Sequence, residues 1–124
     1  MISAFYAAFD NRGGRAPATQ TLRELFAPDG RITRVSAEGV ASWDVDSFIA
    51  PREAMLTDGR LTDFHEWETD GATEVMGAIA VHRSHYRKTG RLDGAPYPGG
   101  GRKLISLCQT DGRWRIVSVV WEDD

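Results

Sequence analysis

Two stretches of this sequence put groups capable of acid–base chemistry side by side. Glu66 and Glu68 are two residues apart, and His85 follows Arg83 by two in Val81-His82-Arg83-Ser84-His85-Tyr86. In an extended strand, side chains two apart share a face. An imidazole changes charge near neutral pH, and burial raises a carboxyl group's pKa toward the same range. Glu66 and His85 are therefore candidate catalytic groups, with Arg83 beside them to hold a ligand. A structural Glu66–Arg83 ion pair and a rim histidine without chemistry are the plainer readings of the same residues.

Other chemistries are poorly supported. His82 and His85 are three apart on a strand and point to opposite faces, and no other ligand cluster appears, so no metal is expected. Gly99-Gly100-Gly101-Arg102-Lys103 lacks the Ser/Thr and the following helix of a phosphate loop, and it reads as a flexible loop. Cys108 is the single cysteine, which excludes an internal disulfide and fits a reducing compartment; its residue type favours a buried strand position. No cofactor is expected. A net charge of −3, with 13 arginines scattered along the chain, leaves no basic face for nucleic acid or an anionic membrane. Met1-Ile2-Ser3-Ala4-Phe5 lacks the regions of a signal peptide, and no run approaches the ~18 apolar residues of a membrane span, so the cytoplasm is the expected location.

The elements that would position these groups can be read from periodicity. With 124 residues, 41% of them hydrophobic, the chain is expected to form one domain over residues 1–124. Ile2, Phe5, Tyr6 and Phe9 have helical spacing, and Asn11–Pro17 breaks it. A second helix is predicted from Ala18 or Thr19, with Leu22, Leu25 and Phe26 on one face, ending at Pro28-Asp29-Gly30. Arg31–Val35 alternates like a short strand. A third helix is predicted from Val45 or Asp46 to Leu56, and Pro51 implies a late start or a kink. Long strands follow. Asp70-Gly71 between Thr62–Thr69 and Ala72–Lys88, and Asp111-Gly112 between Arg102–Thr110 and Arg113–Glu122, read as two-residue hairpin turns. Gly90–Gly101 reads as a loop between the hairpins.

A turn at Asp70-Gly71 pairs Glu66 with Val75. It gathers Phe64, Glu66, Ile79, Val81, Arg83 and His85 on one face, with His82, Ser84 and Tyr86 on the other. The second hairpin sets Ile105, Leu107, Trp114, Ile116 and Val120 against Leu104, Cys108, Val117, Val119 and Trp121. Both faces are substantially apolar, and three short helices can cover only one. A homodimer through the other face is therefore expected.

Helices first, then a curved antiparallel sheet closed by a strand with the sequence Gly112-Arg113-Trp114-Arg115-Ile116-Val117-Ser118, resemble the nuclear transport factor 2-like superfamily. The likeness rests on Phe5–Asp10, on Leu25-Phe26-Ala27-Pro28-Asp29-Gly30, and on Asp111–Ser118. Asp63-Phe64-His65-Glu66 and Gly77-Ala78-Ile79-Ala80 are similar to bacterial members of its SnoaL-like branch. The resemblance implies an α+β, cystatin-like cone with N-terminal helices packed in the sheet and an apolar or partly polar small molecule between them. It also implies that Asp10 and His85 occupy positions used by scytalone dehydratase-like enzymes, although bracing the Asn11–Arg15 loop is the plainer role for Asp10 at a helix end. The implied site holds Asp10, Glu66, Arg83 and His85 among Phe5, Phe9, Phe64 and Ile79. It would serve cofactor-independent isomerisation, dehydration, cyclisation or hydrolysis; a non-catalytic homodimeric binding module is the alternative.

Overall fold

The computed structural model describes residues 1–124. Helix α1 (Ile2–Ala7) leads through a 3₁₀ turn (Arg12–Gly14) to α2 (Thr19–Leu25). Strands β1 (Phe26–Ser36) and β2 (Gly39–Asp44) follow, then α3 (Val45–Thr57), and five further strands complete the chain: β3 (Leu61–Met76), β4 (Ile79–Leu92), β5 (Ala95–Pro96), β6 (Gly99–Thr110) and β7 (Arg113–Asp123). The strands form one curved, unclosed sheet in the order β2-β1-β7-β6-β4-β3, with β5 beside β4. All pairings are antiparallel except β1 with β7, so the sheet is mixed where a purely antiparallel one was expected.

Local chemistry explains the main boundaries. Asp44 caps α3, its side chain accepting the Ser47 N–H at 2.8 Å, and Asp46 adds an acidic group to the first turn. The helix starts at Val45 and carries Pro51 inside it, so it does not begin late. α2 stops at Leu25, three residues before the expected terminator, and Phe26 already belongs to β1. The predicted Gly90–Gly101 loop is largely strand, because β4 runs to Leu92 and β6 begins at Gly99.

The β6–β7 turn is Asp111-Gly112, with φ of 53° and 73°, the positive pair that a type I′ turn requires. The β3–β4 turn is not Asp70-Gly71. Those residues lie within β3, opposite His85 and Ser84, and the chain turns at Gly77-Ala78, where Gly77 supplies φ 61°. Gly71 has a different use: a Cβ there would lie 2.6 Å from the Glu68 carboxylate.

Ladder irregularities fall between Thr62 and His65, between Glu68 and Asp70, and between Ser106 and Leu107 opposite Val117. Such bulges add twist and bend the sheet. α1 packs on β3, and α3 packs on β1, β2 and β3. Between helices and sheet lies one core, in which Leu22, Ile32, Ile49, Ile105, Ile116 and Val119 are sealed from solvent. Asn11 locks the end of α1 into place: its Nδ2 donates to the carbonyls of Leu56 (2.9 Å) and Leu61 (2.7 Å), and its Oδ1 accepts from Phe64 N–H (2.8 Å).

No helix is long and apolar enough to cross a membrane.

Candidate functional site

The core is incomplete at one end of the cone. There, α1 and α3 face the inner surface of β3, β4, β6 and β7 across a cavity of about 270 Å³. Phe5 of α1, Phe9 just after it, Phe48 of α3, Phe64 of β3 and Trp121 of β7 give it an aromatic wall. Four cations and two carboxylates complete the lining: Arg34, Arg52, Lys88 and Lys103 against Glu66 and Asp123.

Lys103 is the least expected of these. It shares the inner face of β6 with Ile105 and Leu107, and its side chain is 8% exposed. Its Nζ lies 4.0 Å from the centre of the Tyr86 ring and 5.5–5.7 Å from those of Tyr6, Phe5 and Trp121. The nearest acid is Glu66, with Oε2 at 3.8 Å, beyond hydrogen-bond length. Burial pulls the Lys103 pKa below the usual lysine value; Glu66 and Asp123 oppose the shift, while Lys88 and Arg52 reinforce it.

Asp123 is already engaged. It accepts the Tyr86 hydroxyl on Oδ1 and the Arg34 guanidinium at 3.3 Å on Oδ2. Burial, and then this contact, push the Tyr86 phenol above its ordinary pKa, so it stays a hydrogen-bond donor. Arg52 stands one helical turn after Phe48. Its guanidinium carbon lies 3.7 Å from the Phe48 ring centre, and its Nη1 donates to the Phe48 carbonyl at 3.0 Å. No carboxylate is paired with it; burial lowers its pKa, and the charge of Glu66 opposes the shift. Lys88 leans on Tyr97, with Nζ 3.5 Å from the hydroxyl.

A second polar cluster joins α1 to β3 and β4 and does not line the cavity. Thr73 Oγ1 meets His82 Nδ1 at 2.6 Å, His82 Nε2 meets Glu68 Oε2 at 2.6 Å, and Ser84 Oγ donates to the same oxygen at 2.6 Å. Tyr6 closes the chain, its hydroxyl 2.7 Å from Ser84 Oγ. Each polar group here has a partner, so the cluster is a half-buried brace.

Of the residues expected in the site, Glu66, Phe5, Phe9 and Phe64 line this cavity. His85, Arg83 and Ile79 do not. They lie exposed on the outer face of the sheet, Ile79 at 59%. The cause is register: Glu66 pairs with Lys88 and Glu68 with Tyr86, so the even-numbered residues of β4 point inward. Asp10 is also outside the cavity. It is buried at the end of α1, where Arg12 (2.7 Å) and Arg15 (3.0 Å) bind its carboxylate and hold its pKa at about 2. It braces the loop after α1. On β7 the bulge at Val117 reverses the expected faces, turning Val119 and Trp121 inward and Val120 out.

The sequence reading missed Lys103, Arg52, Tyr86 and Asp123. The sequence carries a signal for Lys103, because it has the same parity as Ile105 and Leu107 and alternation puts the three on one face. Arg52 follows Phe48 by four residues, the spacing of neighbours on a helix. No group of three or more His, Cys, Asp or Glu side chains is placed to hold a metal ion.

No family model matches the chain, and no curated protein matches it. Solved structures do. A nuclear transport factor 2-like superfamily protein from Salmonella enterica aligns over 98% of this chain and 84% of its own, with TM-score 0.78 and 16% identity. A nuclear transport factor 2-like protein from Cytophaga hutchinsonii aligns over 99% and 92%, with TM-score 0.75 and 14% identity. A protein from Novosphingobium aromaticivorans, described as a candidate scytalone dehydratase, aligns over 99% and 78%, with TM-score 0.75 and 13% identity. Helices set in a bent sheet, the order of elements and these alignments agree: the chain has the cystatin-like fold of the nuclear transport factor 2-like superfamily.

Proposed function

We propose that the protein binds a small, partly apolar organic anion, about one substituted ring in size, with Arg52 anchoring its acidic group. The observation that carries this reading is the imbalance of the lining. Four cations face two carboxylates, and Asp123 is already bound to Tyr86 and Arg34, which leaves Arg52 without an acid. A ligand carboxylate would supply that partner through charge-assisted hydrogen bonds, while the phenylalanine wall takes the apolar part. A hydrogen bond to a charged group contributes about 1.5–3 kcal/mol, or roughly 10- to 100-fold in affinity.

Chemistry on such a ligand would be cofactor-independent proton transfer by Glu66, the one lining carboxylate that accepts no hydrogen bond, in an isomerisation, dehydration, cyclisation or hydrolysis. Asp10 and His85 would take no part. Calorimetric titration with benzoate and benzamide tests the binding. Benzoate is expected to bind at least ~10-fold tighter, and Arg52→Gln to abolish the difference. Equal affinities, or a preference that survives the substitution, would contradict the reading.

A second proposal rests on the outer face of the sheet, where Met76 (67% exposed), Ile79, Leu104 and Val120 lie open. We infer that a second copy of the chain covers this face.

A further inference from the structure

We propose that Lys103 is a nucleophile that forms an imine with a small oxo acid, an aldehyde or ketone that also carries a carboxylate. This deepens the anion-binding reading and rests on it: Arg52 takes the carboxylate, and the carbonyl carbon is presented to Nζ.

Several features set Lys103 apart from an ordinary structural lysine. Its Nζ reaches the cavity through an aromatic surround and makes no hydrogen bond to the protein. The nearest carboxylate, Glu66, is 3.8 Å away, too far to fix the ammonium by a hydrogen bond, and it exchanges a proton with the nitrogen only after closing to about 3.2 Å or less. Arg52 and Lys88 bring further positive charge into the same cavity. Burial and like charge both favour the neutral amine, the two means by which a lysine becomes a nucleophile near neutral pH. Tyr86 adds a hydroxyl whose phenol resists ionisation, and the aromatic wall limits water that would hydrolyse the product.

The step balances within the site. The amine lone pair adds to the carbonyl carbon, forming a C–N bond and sending the π pair to oxygen. Glu66 takes a proton from the nitrogen and returns it to that oxygen, giving the neutral carbinolamine. A second proton follows the same route as the C–O bond breaks. One water leaves, the C=N bond forms, Glu66 regains its starting state, and nothing is oxidised or reduced. The imine, once protonated, withdraws electrons from the neighbouring carbon and acidifies its C–H bonds.

The chain has two lysines, Lys88 and Lys103, so the adduct can be assigned without mutation. The protein is incubated with 4-formylbenzoate and sodium cyanoborohydride, which reduces an imine to a stable secondary amine, and the modified peptide is located by mass spectrometry. A parallel reaction uses benzaldehyde. The expected result is modification of Lys103 at least ~10-fold faster than of Lys88, and faster with 4-formylbenzoate than with benzaldehyde. Lys103→Arg, which keeps a cation at this position, is expected to lose the adduct in the cavity. Binding of 4-formylbenzoate by calorimetry with modification only at Lys88 and the amino terminus overturns the nucleophile and leaves anion binding standing. Equal modification of Lys103 by both aldehydes keeps the nucleophile and overturns the oxo acid as its substrate class. Neither binding nor modification overturns both.

Discussion

Removing the charges of Lys103 and Glu66, singly and together, asks whether the fold needs this pair at all. The two charges are 3.8 Å apart, with side chains 8% and 13% exposed. At an effective dielectric of about 20 their attraction is roughly 4 kcal/mol. Withdrawing each ion from water costs several kcal/mol, so the pair as a unit is about neutral compared with an apolar one. Breaking it from one side leaves the other charge buried without its nearest partner, and stranding a buried charge typically costs about 3–5 kcal/mol. Other opposite charges remain in the cavity, Arg52 for Glu66 and Asp123 for Lys103, so the lower end applies. Lys103→Met and Glu66→Leu are each expected to lose about 3 kcal/mol, read from urea unfolding at pH 7 and 25 °C. The double variant is expected within about 1 kcal/mol of the parent, so that its loss falls about 5 kcal/mol short of the summed single losses. A pair whose joint removal leaves stability intact is not maintained by the needs of folding, and that is what a role in binding or chemistry requires. Single losses that simply add in the double variant would refute the coupling and reduce Lys103 and Glu66 to separate structural residues.

Three other perturbations follow from the same geometry. Asn11→Ala removes three buried hydrogen bonds and strands the Leu56 and Leu61 carbonyls, so a loss of about 3 kcal/mol is expected, lowering Tm by roughly 10 °C in a thermal melt. The Asp10 carboxylate has a pKa lowered to about 2, so its contribution is complete above its unfolded value of 3.8 and disappears as pH falls through about 2. Its arginine partners are largely exposed, which discounts that contribution to about 1 kcal/mol; Asp10→Asn should cost this much at pH 7, with the gap from the parent closing near pH 2 in urea titrations. Ile79→Asp, on the exposed outer face, should leave folding intact and convert a dimer to a monomer in sedimentation velocity; unchanged association would exclude this face as the interface.

Much of the fold was legible because it is written in short-range signals. Helical spacing at Ile2, Phe5 and Tyr6 marks α1, and Asp111-Gly112 makes the turn that its residue types demand. The β3–β4 register was not legible, because Asp-Gly is a turn signal only when no longer ladder competes. Continuing β3 to Met76 adds six residues of pairing with β4, and Gly77 then supplies the positive φ. That displacement, with the bulge between Glu68 and Asp70, moved His85, Arg83 and Ile79 to the outer face and brought Tyr86 and Lys88 in. A single unpaired residue at Val117 had the same effect on Val119 and Trp121.

The placement of Glu66, Phe5, Phe9 and Phe64 survived because it depends on alternation within one element and not on pairing between two. Lys103 was set aside for a different reason. It follows three glycines, and their flexibility as a sequence feature masked their use here: Gly100 lets the β6 backbone approach Tyr86, where a Cβ would lie 2.6 Å from the Tyr86 carbonyl oxygen. The glycines bring the strand close, and Lys103 enters the cavity from it.

A crystal structure of the protein grown with benzoate tests the anion-binding cavity most directly. The expected result is the carboxylate within hydrogen-bond distance of Arg52, with the ring against Phe5, Phe9 and Phe64. Benzoate on the outer face of the sheet, or in the cavity with its carboxylate turned away from Arg52, would contradict it.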